Sequence, residues 1–209
     1  MPSHVRAAFV TFEGIDGSGK TTVSRLVRDA LEARGERVVL TAEPTATWLG
    51  DAVRRSYDDD VGPLAESFLF LADRAHHIVE IKRLLAEGHL VLCDRYADST
   101  YAYQGARLEG IVAEPIAFLR RISEPWLLPP DATVLLRVPV EVGMRRISGR
   151  AGKIRFEDGS FLKKVAANYE ALARSKGFLV IDGTRAATEV ATDALAAIEK
   201  RLMRSPRTR

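Results

Sequence analysis

The chain has 209 residues, 46% hydrophobic and 28% charged, with a formal net charge of +3; this fits one soluble globular domain and excludes a disordered or fibrous chain. A single cysteine, Cys93, excludes an internal disulfide and a multi-thiolate metal site, and fits a reducing, cytoplasmic compartment. "MPSHVRAAFV" has no apolar signal core and no run reaches about 18 apolar residues, so neither a signal peptide nor a membrane span is expected.

In chain order, "AAFVTF" (7–12) comes first, an apolar run without alternation, as expected of a strand covered on both faces in a parallel sheet. Directly after it, Gly14, Gly19, Lys20 and Thr21 match G-x-x-x-x-G-K-[ST] between a strand and a helix. Glycines at 14, 17 and 19 let successive N–H groups turn onto phosphate oxygens, and the helix that follows offers its free N–H groups and positive dipole end to the same anion. Lys20 is expected to bridge the β- and γ-phosphates of ATP, and the Thr21 hydroxyl to ligate Mg²⁺. The expected ATP site is therefore the loop itself, Gly14, Ile15, Asp16, Gly17, Ser18, Gly19, Lys20, Thr21 and Thr22. Asp16 is electrostatically costly beside a phosphate unless it reaches a metal or a substrate hydroxyl; capping a turn is the plainer alternative.

"KTTVSRLVRDALEARG" (20–35) sets Val23, Leu26, Val27, Ala30 and Leu31 on one helical stripe and stops at Gly35. "VVLT" (38–41) reads as the second strand, and "AESFLFLADRAHHIVEIKRLLAEG" (65–88) as a long helix ending at Gly88. Phe70 and Arg74 stand four apart on it and share a face. Spacing alone favours core packing with a snorkelling arginine over an aromatic plate for a base with a guanidinium at the base edge. "LVLC" (90–93) is the third strand and runs into "CDRYADSTYAYQG" (93–105). There Asp94 sits at a strand's carboxyl end, where it can hold Mg²⁺ through water or orient an arginine, and Arg95 offers a planar fork suited to phosphate. Ser99, Thr100, Tyr101, Tyr103 and Gln104 supply the stacking and polar groups that a small ring system requires; the plainer alternative is a surface Asp–Arg pair opening an ordinary helix.

"EGIVAEPIAFLRRISEP" (109–125) reads as a shorter helical stretch broken by prolines, and "ATVLLRV" (132–138) as the fourth strand. After a short helix, "RRISGRAGKIRFED" (145–158) carries four arginines and a lysine around Gly149 and Gly152. It reads as a lid that closes arginines onto transferring phosphates, or as a solvated basic loop. "SFLKKVAANYEALARSKG" (160–177) puts Leu162, Val165, Tyr169 and Leu172 on one helical face; "FLVID" (178–182) is the fifth strand; "ATEVATDALAAIEKRL" (187–202) is the closing helix. The basic tail "KRLMRSPRTR" reads as a solvated end rather than a nucleic-acid arm. The alternation predicts one P-loop NTPase-type domain over 1–209: a doubly wound five-stranded parallel sheet flanked by helices, with a small basic lid at about 145–158 and ligands at the carboxyl ends of the strands.

The chain resembles thymidylate kinases through "FVTFEGIDGSGKTT", "EPT" (43–45), "FLFLADRAHHI", "DRYADSTYAYQG", "RFEDGSFLKKVAANY" and "VIDGT", which occur in the family's order and spacing. The resemblance implies ATP-dependent phosphorylation of dTMP to dTDP, with ATP and dTMP as small-molecule partners, Mg²⁺ as cofactor and a homodimer. Neither a nucleic acid nor a membrane is an expected partner. It implies that Phe70 stacks on thymine and Arg74 binds its edge, reversing the preference from spacing. Arg95 would hold the monophosphate with Asp16 near its acceptor end, Tyr103 would lie against the sugar's 2′ carbon, and Thr100 and Gln104 would meet the base. Lys20, Arg95 and Asp16, with Arg150 and Arg155 from the lid, form the implied catalytic set; Arg145 joins the ATP site, and Thr21 and Asp94 the metal. Because Gly17 stands where one branch of the family carries a loop arginine, the chain is similar to the branch whose lid supplies them. The family often has an arginine before the Glu-Pro and a Gly-Gly after it, whereas this chain has Ala42 and "EPTAT". One phosphate contact is therefore missing, and Glu43 is assigned to the dTMP site or to holding Arg95 or the loop.

Two alternatives stay open at this level. One is another nucleoside monophosphate or deoxynucleoside kinase. The other is a non-catalytic P-loop switch, although "LLRVPVE" stands where a switch GTPase carries an Asn-Lys-x-Asp element.

Overall fold

The computed structural model describes residues 7–148 and 159–204. Among these, the five apolar runs form one all-parallel sheet of β1 (Ala8–Glu13), β2 (Val38–Ala42), β3 (Leu90–Asp94), β4 (Ala132–Arg137) and β5 (Leu179–Asp182), ordered β2-β3-β1-β4-β5. The chain starts at the central strand and winds first to one edge and then to the other. The direction reverses at β1, and its neighbour β3 is in register with it, Phe12 against Asp94. The carboxyl ends of β1 and β3 thus finish side by side at the switch point, where open α/β sheets bind their ligands.

The sheet is buried on both faces, which explains the unbroken apolar runs. Ala8, Val10, Phe12, Leu90, Leu92, Val134 and Leu136 pack against α1 (Lys20–Glu32) and α8 (Ala187–Arg204), where Val23, Val27 and Leu31 meet Val190, Ala194 and Ile198. Phe9, Val91, Cys93 and Leu135 point the other way, toward α3 (Pro63–Ala86), α4 (Ala97–Arg107) and α7 (Gly159–Lys176). The expected stripe of Leu162, Val165, Tyr169 and Leu172 on α7 is buried on that side.

Two helices lack a signal that apolar periodicity detects. α2 (Trp48–Arg55) buries only Gly50 and Val53, too few for a stripe. α4 is buried on every side from Ala97 to Ala106, so its apolar and hydroxyl residues show no periodic contrast. Within 109–125 only α5 (Pro115–Ser123) is helical, opening on a proline that is tolerated in a first turn because its missing N–H has no partner there. α6 (Val140–Ser148) is the short helix expected before the basic segment. No helix among the described residues is long and apolar enough to cross a membrane.

Candidate active site

The loop between β1 and α1 is pinned from above by α6. At Gly17, with φ at 77°, a Cβ would come within 2.2 Å of the Gly143 carbonyl oxygen, and a Cβ on Gly143 within 2.7 Å of that of Asp16. Backbone lies against backbone here, and no larger side chain fits on either side of the contact. One turn further along α6, Arg146 Nη1 donates to the carbonyls of Gly17 at 3.3 Å and Gly183 at 2.9 Å, and Nη2 to that of Thr184 at 3.2 Å. Arg145, expected at ATP, is exposed on the same helix, so Arg146 is the arginine that reaches the loop. Arg150 and Arg155, with most of the expected lid, lie outside the described residues.

Lys20 is buried, and its Nζ donates to the carbonyls of Gly14 and Ile15, both at 2.9 Å. Burial and the nearby Arg95 bring its pKa down to about 8 against the opposing pull of Asp16, Asp94 and Glu13. Ser18 is buried within the loop, whereas Thr21 and Thr22 are exposed at the start of α1. Thr21 Oγ1 donates to Asp94 Oδ2 at 2.5 Å, and Asp94 Oδ1 is buried with no hydrogen-bond partner among the described residues. A hydroxyl beside a carboxylate with an unpaired buried oxygen is a donor set that suits a hard cation. No group of three His, Cys, Asp or Glu side chains that could hold a metal occurs among the described residues. Mg²⁺ usually takes one or two protein oxygens and completes its shell with waters and substrate phosphates.

Arg95 follows β3 in a left-handed conformation, φ 71°, which costs a non-glycine residue about 1–3 kcal/mol. Its N–H donates to the Phe12 carbonyl at 3.0 Å and its own carbonyl accepts from Cys93 Sγ at 3.0 Å, so both flanking strands hold the turn. The guanidinium pairs with Asp16, donates to Ser99 Oγ at 3.2 Å and lies 5.1 Å over the Tyr103 ring. Tyr103 in turn accepts the Asp16 N–H at 2.9 Å. Burial alone would raise the Asp16 carboxyl, but Arg95 and Lys20 outweigh it and hold the group below the usual carboxylate range.

Sequence reasoning missed the carboxylate behind this group. Glu13, the last residue of β1, is fully buried and accepts the Tyr96 N–H at 2.9 Å, Ser99 Oγ at 2.6 Å and the Tyr169 hydroxyl at 2.9 Å. Burial and the charge of Asp98 push its pKa up to about 7, against the opposing effects of Ser99, Arg95 and Tyr169. The available signal was a charged residue closing an otherwise apolar strand.

On the far side of α4, Arg74 does not snorkel, which corrects the preference drawn from spacing. Its side chain is 1% exposed, with Nη2 donating to Glu43 Oε2 at 2.6 Å and Thr100 Oγ1 at 2.9 Å. Its Nε and Nη1 are buried without a hydrogen-bond partner among the described residues. Glu43 does not meet Arg95: its second oxygen accepts from His77 Nδ1 at 2.9 Å, and His77 Nε2 lies 2.8 Å from Thr41 Oγ1. Phe70 is half-buried, its ring 6.4 Å from that of Tyr57. Gln104 is buried one turn beyond Thr100, with Nε2 donating to Glu66 Oε1 at 3.3 Å.

The arrangement offers a glycine loop with its lysine, an oxygen pair suited to a cation, a second guanidinium suited to an anion and a buried guanidinium with unpaired nitrogens one helical turn from an aromatic residue. Comparison with known proteins points the same way. The sequence profile of the thymidylate kinase family matches residues 12–194. A probable thymidylate kinase of Natronomonas pharaonis is 45% identical over 199 residues, covering 93% of this chain and 99% of that protein. Probable thymidylate kinases of Methanospirillum hungatei and Methanoculleus marisnigri are 43% and 42% identical, covering 84% and 87% of this chain and 85% and 89% of their own lengths.

Proposed function

The chain belongs to the thymidylate kinase family and is an ATP-dependent phosphotransferase that converts dTMP to dTDP; we propose the following roles for its residues. ATP phosphates are held by the loop from Gly14 to Thr22, with Lys20 neutralising charge on the transferring group. Arg95 holds the acceptor monophosphate and Asp16 fixes Arg95. Phe70 stacks on the base, Arg74 donates to its edge, Thr100 and Gln104 meet it, and Tyr103 lies against the sugar. Glu43 acts through Arg74 rather than on the substrate. Mg²⁺, held by Thr21 and Asp94, would neutralise charge on the donor phosphates. Arg145, Arg150 and Arg155 are the lid arginines of this reading. The attacking phosphate oxygen is already ionised, so no strong general base is needed and positioning with charge neutralisation carries the chemistry.

Arg74 carries the assignment to a nucleobase. A fully buried guanidinium with two unpaired donors costs folding free energy unless a ligand's acceptors meet it, and an aromatic ring one turn away supplies the stack. We propose further that the protein acts as a single domain in a cytoplasmic homodimer. The exposed apolar side chains of Leu64, Phe68 and Val79 along one side of α3 support a covered face, and the buried, solitary Cys93 supports a reducing compartment.

The test is phosphoryl transfer from ATP, with Mg²⁺ or with EDTA, to dTMP, dUMP, dCMP, dGMP and thymidine. Metal-dependent transfer with dTMP as the best acceptor is expected. A preference for dGMP or for the nucleoside would overturn the acceptor assignment, and hydrolysis indifferent to acceptor would favour a switch.

A further inference from the structure

Glu66, Phe70 and Arg74 follow one another at four-residue steps on α3, and Thr100 and Gln104 do the same on α4. The two helices meet in polar contacts at two places, Arg74 to Thr100 at 2.9 Å and Glu66 to Gln104 at 3.3 Å, with Arg107 of α4 also beside Glu66. Along α3 the order is Glu66 then Arg74; along α4 the partners come in the opposite order. Phe70 therefore lies midway between the contacts. Eight residues of α3, about 12 Å of helix rise, are matched to four of α4, about 6 Å, so the contacts converge at α4 from either side of the ring.

The two ends differ in chemistry. At the Arg74 end two guanidinium nitrogens, Nε and Nη1, are buried without a partner among the described residues. At the other end Glu66 is 0% exposed and lies beside the Arg107 guanidinium, Nε to Oε1 at 3.3 Å. A carboxylate offers only acceptors, so the Gln104 group turned toward it must be the amide nitrogen. The amide is planar, so with its nitrogen turned to Glu66 the carbonyl oxygen of Gln104 is directed away from that carboxylate.

We propose that Glu66 sets the base selectivity of the acceptor site by fixing the Gln104 amide so that an acceptor, rather than a donor, meets the base. This rests on the assignment of Phe70, Arg74 and Gln104 to the base. A donor set at Arg74 and an acceptor at Gln104 complement a pyrimidine with a C4 carbonyl and an N3–H. Cytosine carries the opposite pair, a C4 amine and an unprotonated N3. It would leave buried groups unpaired at both ends, the situation in which enzymes discriminate most strongly. Glu66 is a positioning residue here, because it acts through Gln104.

Glu66→Gln keeps the shape but can offer a donor or an acceptor, so it frees the Gln104 amide to turn over. The ratio of kcat/KM for dTMP to that for dCMP is expected to narrow about tenfold, the value of one neutral hydrogen bond, by loss on dTMP and gain on dCMP. In a Gln104→Ala background the same substitution should leave the ratio unchanged. Glu66→Asp keeps the charge beside Arg107 while withdrawing the carboxylate from Gln104, and should narrow the ratio in the same direction if Glu66→Gln does not fold. An unchanged ratio in a folded variant, an equal fall for both substrates, or an undiminished effect without Gln104 overturns the proposal. Wild-type protein that fails to phosphorylate dTMP would instead overturn the base assignment on which it rests.

Discussion

Gly17 of the phosphate loop and Gly143 of α6 lie so close that a Cβ on Gly17 would reach within 2.2 Å of the Gly143 carbonyl oxygen. The contact ties the loop to the helix that leads toward the basic segment, and Arg146 fastens the same helix to the Gly17 carbonyl. Gly143 sits inside a helix and needs no unusual backbone angle, so an alanine there tests its packing against the loop, at the Asp16 carbonyl and the Ile15 side chain. Gly143→Ala should press on the Asp16 carbonyl, 2.7 Å from the added carbon. We expect kcat to fall roughly tenfold to a hundredfold as the loop shifts, with a stability loss of about 1–3 kcal/mol from overpacking. Steady-state rates and a urea titration check this; wild-type kcat in the variant would show that the loop does not depend on α6.

Arg95 is bound by Asp16, Ser99 and the face of Tyr103, a set that uses its planar fork and its flat surface. Arg95→Ala should lower kcat by about two orders of magnitude, as should Lys20→Ala. Arg95→Lys should recover little, because an ammonium cannot reach Asp16 and Ser99 in one plane and still stack. Single-turnover rates with dTMP decide it, and turnover near wild type in either alanine variant removes these residues from the chemistry.

Glu43 spends one oxygen on Arg74 at 2.6 Å and the other on His77 at 2.9 Å. Glu43→Gln removes the charge that compensates a fully buried guanidinium and loosens its aim. The expected result is a rise of about tenfold in the KM for dTMP with kcat little changed, because the phosphates are held elsewhere. Glu43→Ala should cost about 3–5 kcal/mol of stability, since it leaves the buried charge alone. An unchanged KM in Glu43→Gln would disconnect Glu43 from the base pocket.

Glu13 makes the stability of the protein depend on pH. Its folded pKa is about 7, above the ordinary 4.5, so the folded state binds more protons than the unfolded state between these values. Stability contributed by the neutral carboxyl is complete at low pH and falls as pH rises from near 4.5 through 7, by an amount on the order of 3 kcal/mol. Glu13→Gln abolishes that loss. Urea unfolding of both proteins at several pH values should give curves that diverge upward in favour of the variant toward pH 7.5; parallel curves would show that the carboxyl is not perturbed.

Much of this could be read from residue order alone. The phosphate loop was legible because its function requires a fixed local spacing beside a strand and a helix, and the five strands because a doubly covered sheet demands continuous apolar runs. Phe70 and Arg74 were ambiguous for the same reason in reverse. Four residues of separation put them on one face of a helix, but whether that face meets core, solvent or ligand depends on what packs opposite. Glu13, Glu66 and His77 drew no role from the sequence, since each is paired with partners 30 or more positions away, such as Tyr169 for Glu13 and Gln104 for Glu66.

The sequence by itself determined the local pattern: a glycine-lysine loop with the spacing of a phosphate cradle, strands that must be buried, and a resemblance carried by contiguous motifs. Only the tertiary structure decided which distant side chains share a buried environment. It buried Arg74 with its Nε and Nη1 unpaired among the described residues, turned Glu43 to Arg74 instead of Arg95, and tied the loop after β1 to Arg146. Backbone angles and periodicity are set over a few residues, whereas burial and the pairing of charges arise only when segments far apart in the chain are brought to the same end of the sheet.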